Sequence, residues 1–348
     1  MRVFHSQQIK DEPQVGAARR AVHRHASRLG FGEDALAEID IVVQEMGTNA
    51  VRYATGGGCL HWAETLAGAG LELFYCDKGP GIFDLERAVR DGVSTGGSLG
   101  TGFGAMRRLL DEFDAYSTVR GTTRRLLTGR RTTFGTAILG RKWASPEREG
   151  DAARARRLSS RLGVWSRPRP GEEVNGDAYF FAERGAVTLL AVVDGLGHGR
   201  GAHEASSAAL DALSQWQGEP LEDVIWGAHD ALRATRGAVI GAFLVDAGRG
   251  SLHYAGVGNV EARVFNSPEP VRPVPSNGTL GARLSNVRVW PHRWAEGTTL
   301  VLATDGLSAS WDAAAYPGLV GHQPQLLAGV LLRDFGRNSD DATVLVFR

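Results

Sequence analysis

Near the start of the chain, apolar residues recur at helical spacing. Over 15–29, in the string AARRAVHRHASRL, they fall on one face and predict a helix. Over 34–53, DALAEIDIVVQEMGTNAVRY repeats the pattern; Glu33 or Asp34 opens it and the glycines at 56–58 stop it. Two strand-like runs come next, at 59–65 and 71–76, joined by LAGAG, and the second runs into DKGPG. A glycine-rich stretch, 92–104, opens into AMRRLLDEFDAYS, which reads as a helix. A strand at 133–139 closes this half.

The texture then changes. Residues 141–170 are arginine-rich and end in Arg-Pro-Arg-Pro, which predicts an interdomain linker with a short helix at 152–162. A solvated basic segment is the ordinary reading of such a charge run, and a docking surface is the alternative. After 172 the runs become strand-like: DAYFFAER, AVTLLAVVDG, GAVIGAFLVDA, SLHYAGVGNVEARVF, TTLVLATDG and ATVLVFR. Two helices interrupt them, at 203–216 and 221–235. Many strands with two helices suggest sheets packed together with helices outside. The expected organisation is an α+β chain with domains at 1–140 and 171–348, joined by 141–170.

Composition narrows the class. A length of 348 residues suits about two domains. Lys+Arg and Asp+Glu are both 39, so the formal charge is zero, which argues against a general nucleic-acid or membrane-surface binder. No apolar run reaches the ~18 residues of a membrane span, and the first residues show no secretory pattern. With only Cys59 and Cys76, a reduced cytoplasmic setting is expected.

Three pieces in the first half carry chemistry. Glu45 and Asn49 share a face of the second predicted helix, where a carboxylate and an amide could activate a hydroxyl and ligate Mg²⁺. Asp77-Lys78-Gly79-Pro80-Gly81 ends a strand; the aspartate can accept from an adenine amino group, and the glycines let the backbone approach the ring. Gly100-Thr101-Gly102-Phe103-Gly104 precedes a helix, where backbone amides bind phosphate. Each piece alone is weak, since a polar helix face and a glycine turn are common. Their order is specific.

In that order the motifs resemble the N-box, the DxGxG box and the GxGxG lid hinge of the GHKL ATPase superfamily, over residues 34–139. Gly135-Thr136 resembles the family's late glycine-threonine pair. Within the superfamily, RDGVSTGGSLGTGFGAMRRLLDEFDAYS resembles the serine kinases of bacterial partner switching, of the stressosome switch-kinase type. The resemblance implies a Bergerat-fold α/β sandwich. It implies that Asn49 holds Mg²⁺ with ATP, that Glu45 activates the incoming hydroxyl and that Asp77 reads adenine. Gly79, Gly81, Gly100, Thr101, Gly102, Phe103, Gly104 and Thr136 would line the nucleotide.

The second half spaces acidic residues at strand ends: Asn175-Gly176-Asp177, Asp194-Gly195-Leu196-Gly197-His198-Gly199, Asp305-Gly306 and Asp340-Asp341. A lone Asp-Gly is usually a turn. Four such sites, three of them beside an apolar run, can instead supply the oxygen ligands that hard divalent cations need, and two such ions can activate a water for in-line phosphoryl displacement. Both cysteines lie in the first half, which excludes a cysteine phosphatase here.

With VVDGLGHG and DDATVLV in this order, residues 172–348 resemble the metal-dependent type 2C protein phosphatases in their short SpoIIE-like form. The resemblance implies an αββα sandwich and two Mn²⁺ or Mg²⁺ ions. Asp194 would bridge them and Gly195 would lend a carbonyl. Asp305 and Asp340 would hold the second ion, with Asp341 as the alternative to Asp340, and Asp177 the first. His198 is either a general acid for the leaving seryl oxygen or a loop histidine bonded locally. Larger relatives carry an arginine near the first acidic motif; here Val174-Asn175-Gly176 has none, and Arg167, Arg169 or Arg200 are the substitutes considered.

The expected function is a bifunctional protein serine/threonine kinase and metal-dependent phosphatase acting on STAS-domain proteins of a partner-switching pathway. The partner would be an anti-sigma antagonist or a stressosome scaffold, with a sigma factor and a second copy of the chain as further candidates. The alternative is a first half that binds ATP without transferring phosphate and acts as an anti-sigma or sensor module on the phosphatase.

Overall fold

The computed structural model describes residues 2–66, 68, 70–90, 102–119, 134–144 and 149–348. The chain divides into two compact units. One comprises 2–161 with 312–330; the other comprises 162–311 with 331–348.

The first unit is an antiparallel sheet with helices on one face. Strand β1 (His5–Ile9) leads into α1 (Glu12–Arg28) and α2 (Glu33–Tyr53). The Asp11 side chain accepts from the Gln14 amide, and Gln14 accepts in return from Lys10, closing the first turn of α1. Val15, Ala18, Val22 and Ala26 form its buried stripe, and Ile39, Val42, Val43, Met46 and Ala50 form that of α2. Next come β2 (Gly58–Glu64), β3 (Gly70–Asp77), α3 (Leu85–Val89), α4 (Gly102–Leu109), β4 (Glu112–Thr118) and β5 (Gly135–Trp143). The sheet order is β1-β2-β3-β5-β4, so β3, buried along nearly its whole length, lies at the centre.

Two expectations change here. The predicted helix AMRRLLDEFDAYS ends at Leu109. Its second half is β4, which pairs antiparallel with β5 from Glu112↔Arg141 to Thr118↔Gly135. Pairing along a full strand outweighs the local helical pattern. The expected linker 141–170 is built into elements instead. Arg141 lies fully buried in β5, a helix α5 (Glu149–Arg161) comes after it, and 162–167 form a strand. Buried Arg141 bonds Glu72 at 2.7 Å, Glu112 at 2.7 Å, and the Gln323 side chain. The Gln323 amide and His322 Nδ1 both meet the Asp114 carboxylate, at 2.8 Å each, so 312–330 is tied into this unit.

The second unit is a pair of facing sheets. Its strands are β6 (Leu162–Arg167), β7 (Asp177–Arg184), β8 (Val187–Gly195), β9 (Ala238–Asp246), β10 (Ser251–Val257) and β11 (Glu261–Phe265). They continue with the short hairpin β12 (Gly278–Thr279) and β13 (Arg283–Leu284), then β14 (Trp290–Arg293), β15 (Thr299–Ala303) and β16 (Ala342–Phe347). Helices α6 (Arg200–Ser214) and α7 (Leu221–Ala231) lie between β8 and β9 in sequence, and α8 (Pro324–Phe335) precedes β16. One sheet runs β14-β10-β9-β8-β7, the other β11-β15-β16-β6. The run SLHYAGVGNVEARVF, expected as one strand, breaks at Gly258 (φ +91°), and its halves join different sheets. Strands β1 and β6 and helix α8 were not expected from the pattern.

Alternation along β8 decides which way its acidic end faces. Leu189, Ala191 and Val193 pack with Ala205, Ala209 and Ile225 under α6 and α7. The intervening Leu190, Val192 and Asp194 therefore point to the opposite face, toward the second sheet.

Candidate functional site

Nucleotide chemistry in the first unit centres on Asp77 at the end of β3. Its Oδ1 accepts from the Gly79 amide at 2.8 Å and the Thr136 amide at 3.1 Å. Its Oδ2 accepts from the Tyr75 hydroxyl at 2.9 Å. Burial first, and then the Asp77 charge, push the Tyr75 hydroxyl pKa up, so it remains a donor. Three donors hold the carboxylate in one orientation and leave lone pairs for an exocyclic amine. Thr136 can approach because Gly135 (φ +140°) has no side chain: a Cβ there would lie 2.0 Å from the Asp77 carbonyl oxygen. The Ser117 hydroxyl knits the floor by accepting from the Ile82 amide at 2.8 Å and lying 3.2 Å from Thr136 Oγ1.

Glu45 and Asn49 share one face of α2, as the spacing predicts, and α4 begins directly over them. A Cβ on Gly102 would lie 2.9 Å from Glu45 Oε2 and 3.9 Å from Asn49 Nδ2. Asn49 Nδ2 is enclosed and has no hydrogen-bond partner among the described residues. A buried amide left unpaired in a native site fits one that a bound group completes. Phe103 instead packs edge-on to Phe113, with ring centroids 6.4 Å apart, and joins the core. Gly81 (φ +77°) packs against the Thr118 carbonyl, and Gly104 is buried in α4. Gly100 and Thr101 lie outside the described residues.

Acidic residues in the second unit gather at one end of the sandwich. Asp177 and Asp194 are register partners on β7 and β8. Asp177 is almost fully buried and accepts from Thr304 Oγ1 at 2.7 Å; Thr304 in turn accepts from the Thr343 amide at 2.9 Å. Gly195, next after Asp194, sits so close to α6 that a Cβ would lie 2.1 Å from the Ala202 carbonyl. Gly306 approaches even more tightly, with a Cβ position 1.7 Å from the Asp341 carbonyl, which brings the Asp305 loop beside Asp340 and Asp341. Asp305 accepts from Asn259 Nδ2 at 3.0 Å. Each Asp341 oxygen takes one backbone amide, that of Arg169 at 2.8 Å or of Gly176 at 3.0 Å, whereas among the described residues Asp340 bonds only the Asp341 amide, at 3.0 Å.

Electrostatics describe the same crowd. Burial, then Asp305, Asp340 and Asp341, push the Asp194 carboxyl up to about 7. Burial and then Asp194 raise Asp177 well above the carboxylate range. None of these five aspartates forms a salt bridge among the described residues. Crowded carboxylates without ion-paired protein cations are the donor set expected of hard divalent ions. No three acidic, histidine or cysteine side chains among the described residues stand close enough to hold one ion alone.

His198 is half-exposed, and its Nδ1 lies 2.6 Å from Glu172 Oε1. His203 Nδ1 meets the Asn175 carbonyl at 2.9 Å, and Asn175 Oδ1 accepts from the Asp177 amide at 3.0 Å. Sequence reasoning missed Tyr75, Ser117, Thr304, Thr343, Asn259 and Glu172. Only Tyr75 carried a signal, at i, i+2 from Asp77 on one strand face.

Comparison with known proteins bears on both halves of the chain. The family described as the histidine kinase-like ATPase domain matches residues 9–127. The serine/threonine-protein kinase RsbT of Bacillus subtilis (strain 168) is 36% identical over 110 residues, which is 31% of this chain and 83% of RsbT. The chain belongs to the RsbT family of serine/threonine protein kinases. It is also similar to the phosphoserine phosphatase RsbX of the same organism, 28% identical over 147 residues, 42% of this chain and 73% of RsbX. A chain solved in work on the bacterial stressosome as a modular system adapted to control secondary messenger signalling superposes with TM-score 0.51 at 28% identity, covering 54% of this chain and 98% of its own. The RsbT-type kinase is thus joined to a type 2C phosphatase fold in one α+β chain. No helix among the described residues is long and apolar enough to cross a membrane.

Proposed function

We propose that this bifunctional partner-switching kinase and phosphatase acts on a STAS-domain protein, an anti-sigma antagonist or a stressosome scaffold. Its first unit transfers the γ-phosphoryl group of ATP to a serine or threonine hydroxyl, releasing ADP and a proton. Its second unit hydrolyses the phosphoester with one water, releasing the hydroxyl and orthophosphate. The observation that carries the reading is the crowding of Asp177, Asp194, Asp305 and Asp340 with no ion-paired cation among them, in a chain that also holds the Asp77–Thr136 clamp.

In the kinase, Asp77 reads the adenine amino group and Glu45 takes the proton of the incoming hydroxyl. Asn49 completes Mg²⁺ with its amide oxygen. Phosphoryl transfer depends mainly on position and charge neutralisation, so few side chains suffice. In the phosphatase, Asp194, the Gly195 carbonyl, Asp305 and Asp340 hold two divalent ions, Mn²⁺ or Mg²⁺, with Asp177 behind the first. When bound, the ions supply Lewis acidity and an activated water. His198, oriented by Glu172, is placed to hand a proton to the leaving oxygen. Opposing activities in one chain set the phosphorylated fraction of the partner.

The test uses the full chain, Mn²⁺, labelled ATP and a STAS-domain protein. Asp194→Asn should accumulate phosphoprotein, and Glu45→Gln should make none while still binding nucleotide. Absence of phosphoprotein with Asp194→Asn would remove the kinase assignment. An ATP-binding sensor without transfer is the reading that would then remain.

A further inference from the structure

We propose that Ser166 is a positioning residue of the second site: through a closed ring of hydrogen bonds it fixes the Asp177 carboxylate for a divalent ion. The inference rests on the phosphatase reading.

The ring begins and ends on Asp177. The Asp177 amide donates to Asn175 Oδ1 at 3.0 Å, and Asn175 Nδ2 donates to Ser166 Oγ at 2.8 Å. Ser166 and Thr343 are register partners on β6 and β16, and their hydroxyl oxygens lie 2.7 Å apart. The Thr343 hydroxyl in turn bonds the Asp177 carboxylate. A carboxylate that ligates a cation is ionised and only accepts, so Thr343 spends its one proton on Asp177. Thr343 Oγ1 therefore accepts from Ser166, and Ser166 accepts from Asn175. Each hydroxyl takes one bond and gives one, so the ring runs in a single direction.

Independent contacts anchor the ring. His203 Nδ1 on α6 donates to the Asn175 carbonyl at 2.9 Å. Thr343 is fully buried, and its amide donates to Thr304 Oγ1, which donates to Asp177 Oδ2 at 2.7 Å. Two hydroxyls thus set the plane of a buried carboxylate whose partner across the ladder is Asp194. A carboxylate has about four lone-pair sites, so the others are left for an ion. The backbone ladder of β6 and β16 closes without the Ser166 hydroxyl, so what that hydroxyl adds is direction rather than strand pairing. Groups that orient a metal ligand from behind typically carry about 10–100-fold in metal affinity.

The experiment compares wild type, Ser166→Ala, Ser166→Thr, Asn175→Ala and the double variant Ser166→Ala/Asn175→Ala, all full-length. Mn²⁺ is titrated by calorimetry, and hydrolysis of a phosphoserine peptide is followed. Ser166→Ala should weaken Mn²⁺ by about tenfold or more, and Ser166→Thr, which keeps the hydroxyl, should recover most of the loss. Asn175→Ala should cost a similar factor. The double variant should fall within about threefold of the weaker single variant, because both changes open one ring. Wild-type Mn²⁺ affinity in Ser166→Ala would overturn the proposal. So would an equal loss in Ser166→Thr, or losses that multiply in the double variant, since either marks side chains that only fill space. A wild type whose Mn²⁺ binding depends on Ser166 but which hydrolyses no phosphopeptide supports the ring and removes the phosphatase reading. Hydrolysis with Mn²⁺ binding indifferent to Ser166 does the reverse, so the two fail separately.

Discussion

Asp177 and Asp194 face each other as register partners on neighbouring antiparallel strands, and both carboxyls are pushed upward by burial and by neighbouring acidic charge. Like charges directly across a ladder destabilise a sheet. The divalent ions proposed for this end of the sandwich would offset that cost.

Metal-free protein should therefore show an unusual pH dependence. The Asp194 carboxyl, near 7 when folded, lies above its ordinary 3.8, so the folded chain retains a proton that the unfolded chain releases. That contribution is fully present below the ordinary value and is lost as pH rises through about 7. In EDTA, the melting temperature should fall between about pH 5 and pH 8, and Asp194→Asn should flatten the slope. Mn²⁺ should reverse the trend, because a bound cation replaces the proton. A wild-type slope equal to that of Asp194→Asn would contradict this.

Thr304 links the two sheets through Asp177 and the Thr343 amide. Thr304→Val keeps the shape and deletes both bonds. It should destabilise the chain by about 1–3 kcal/mol in urea unfolding, since it removes one of the two hydroxyl partners of the buried Asp177 carboxyl and leaves the buried Thr343 amide without its acceptor.

Gly102 would bring any added side-chain carbon against Glu45 and close to Asn49. Gly102→Ala forces the Glu45 carboxylate aside. Phosphoryl transfer should drop on the order of 100-fold while nucleotide affinity changes little, because transfer depends on placement within about 1 Å. Equal losses in single-turnover transfer and in nucleotide titration would show that Gly102 serves binding alone.

Arg141 is fully buried between Glu72 and Glu112 and reaches Gln323. Arg141→Ala should cost about 3 kcal/mol, because it removes the cation that Glu72 and Glu112 share and leaves Glu72 with Arg2 alone and Glu112 with the Trp143 indole. Limited proteolysis should then cut within 312–330 sooner than in wild type, since the Gln323 tie is lost.

Local pattern carried much of this protein. Helices α1 and α2 and most second-unit strands were legible because their buried stripes repeat with the period of the element. The ordered motifs singled out Glu45, Asn49, Asp77, Asp177, Asp194, Asp305 and Asp340 as candidates, because glycines and acids at strand ends leave a local signature. Tertiary contacts decided the rest. Strand β4 formed where a helix was expected because β5 supplied its partner, and Arg141 became a buried anchor in a stretch that reads as solvated linker. The Ser117, Thr304 and Asn259 bonds join residues 19, 127 and 46 positions apart. Sequence spacing determines which residues share a face, whereas only the folded chain determines which faces meet.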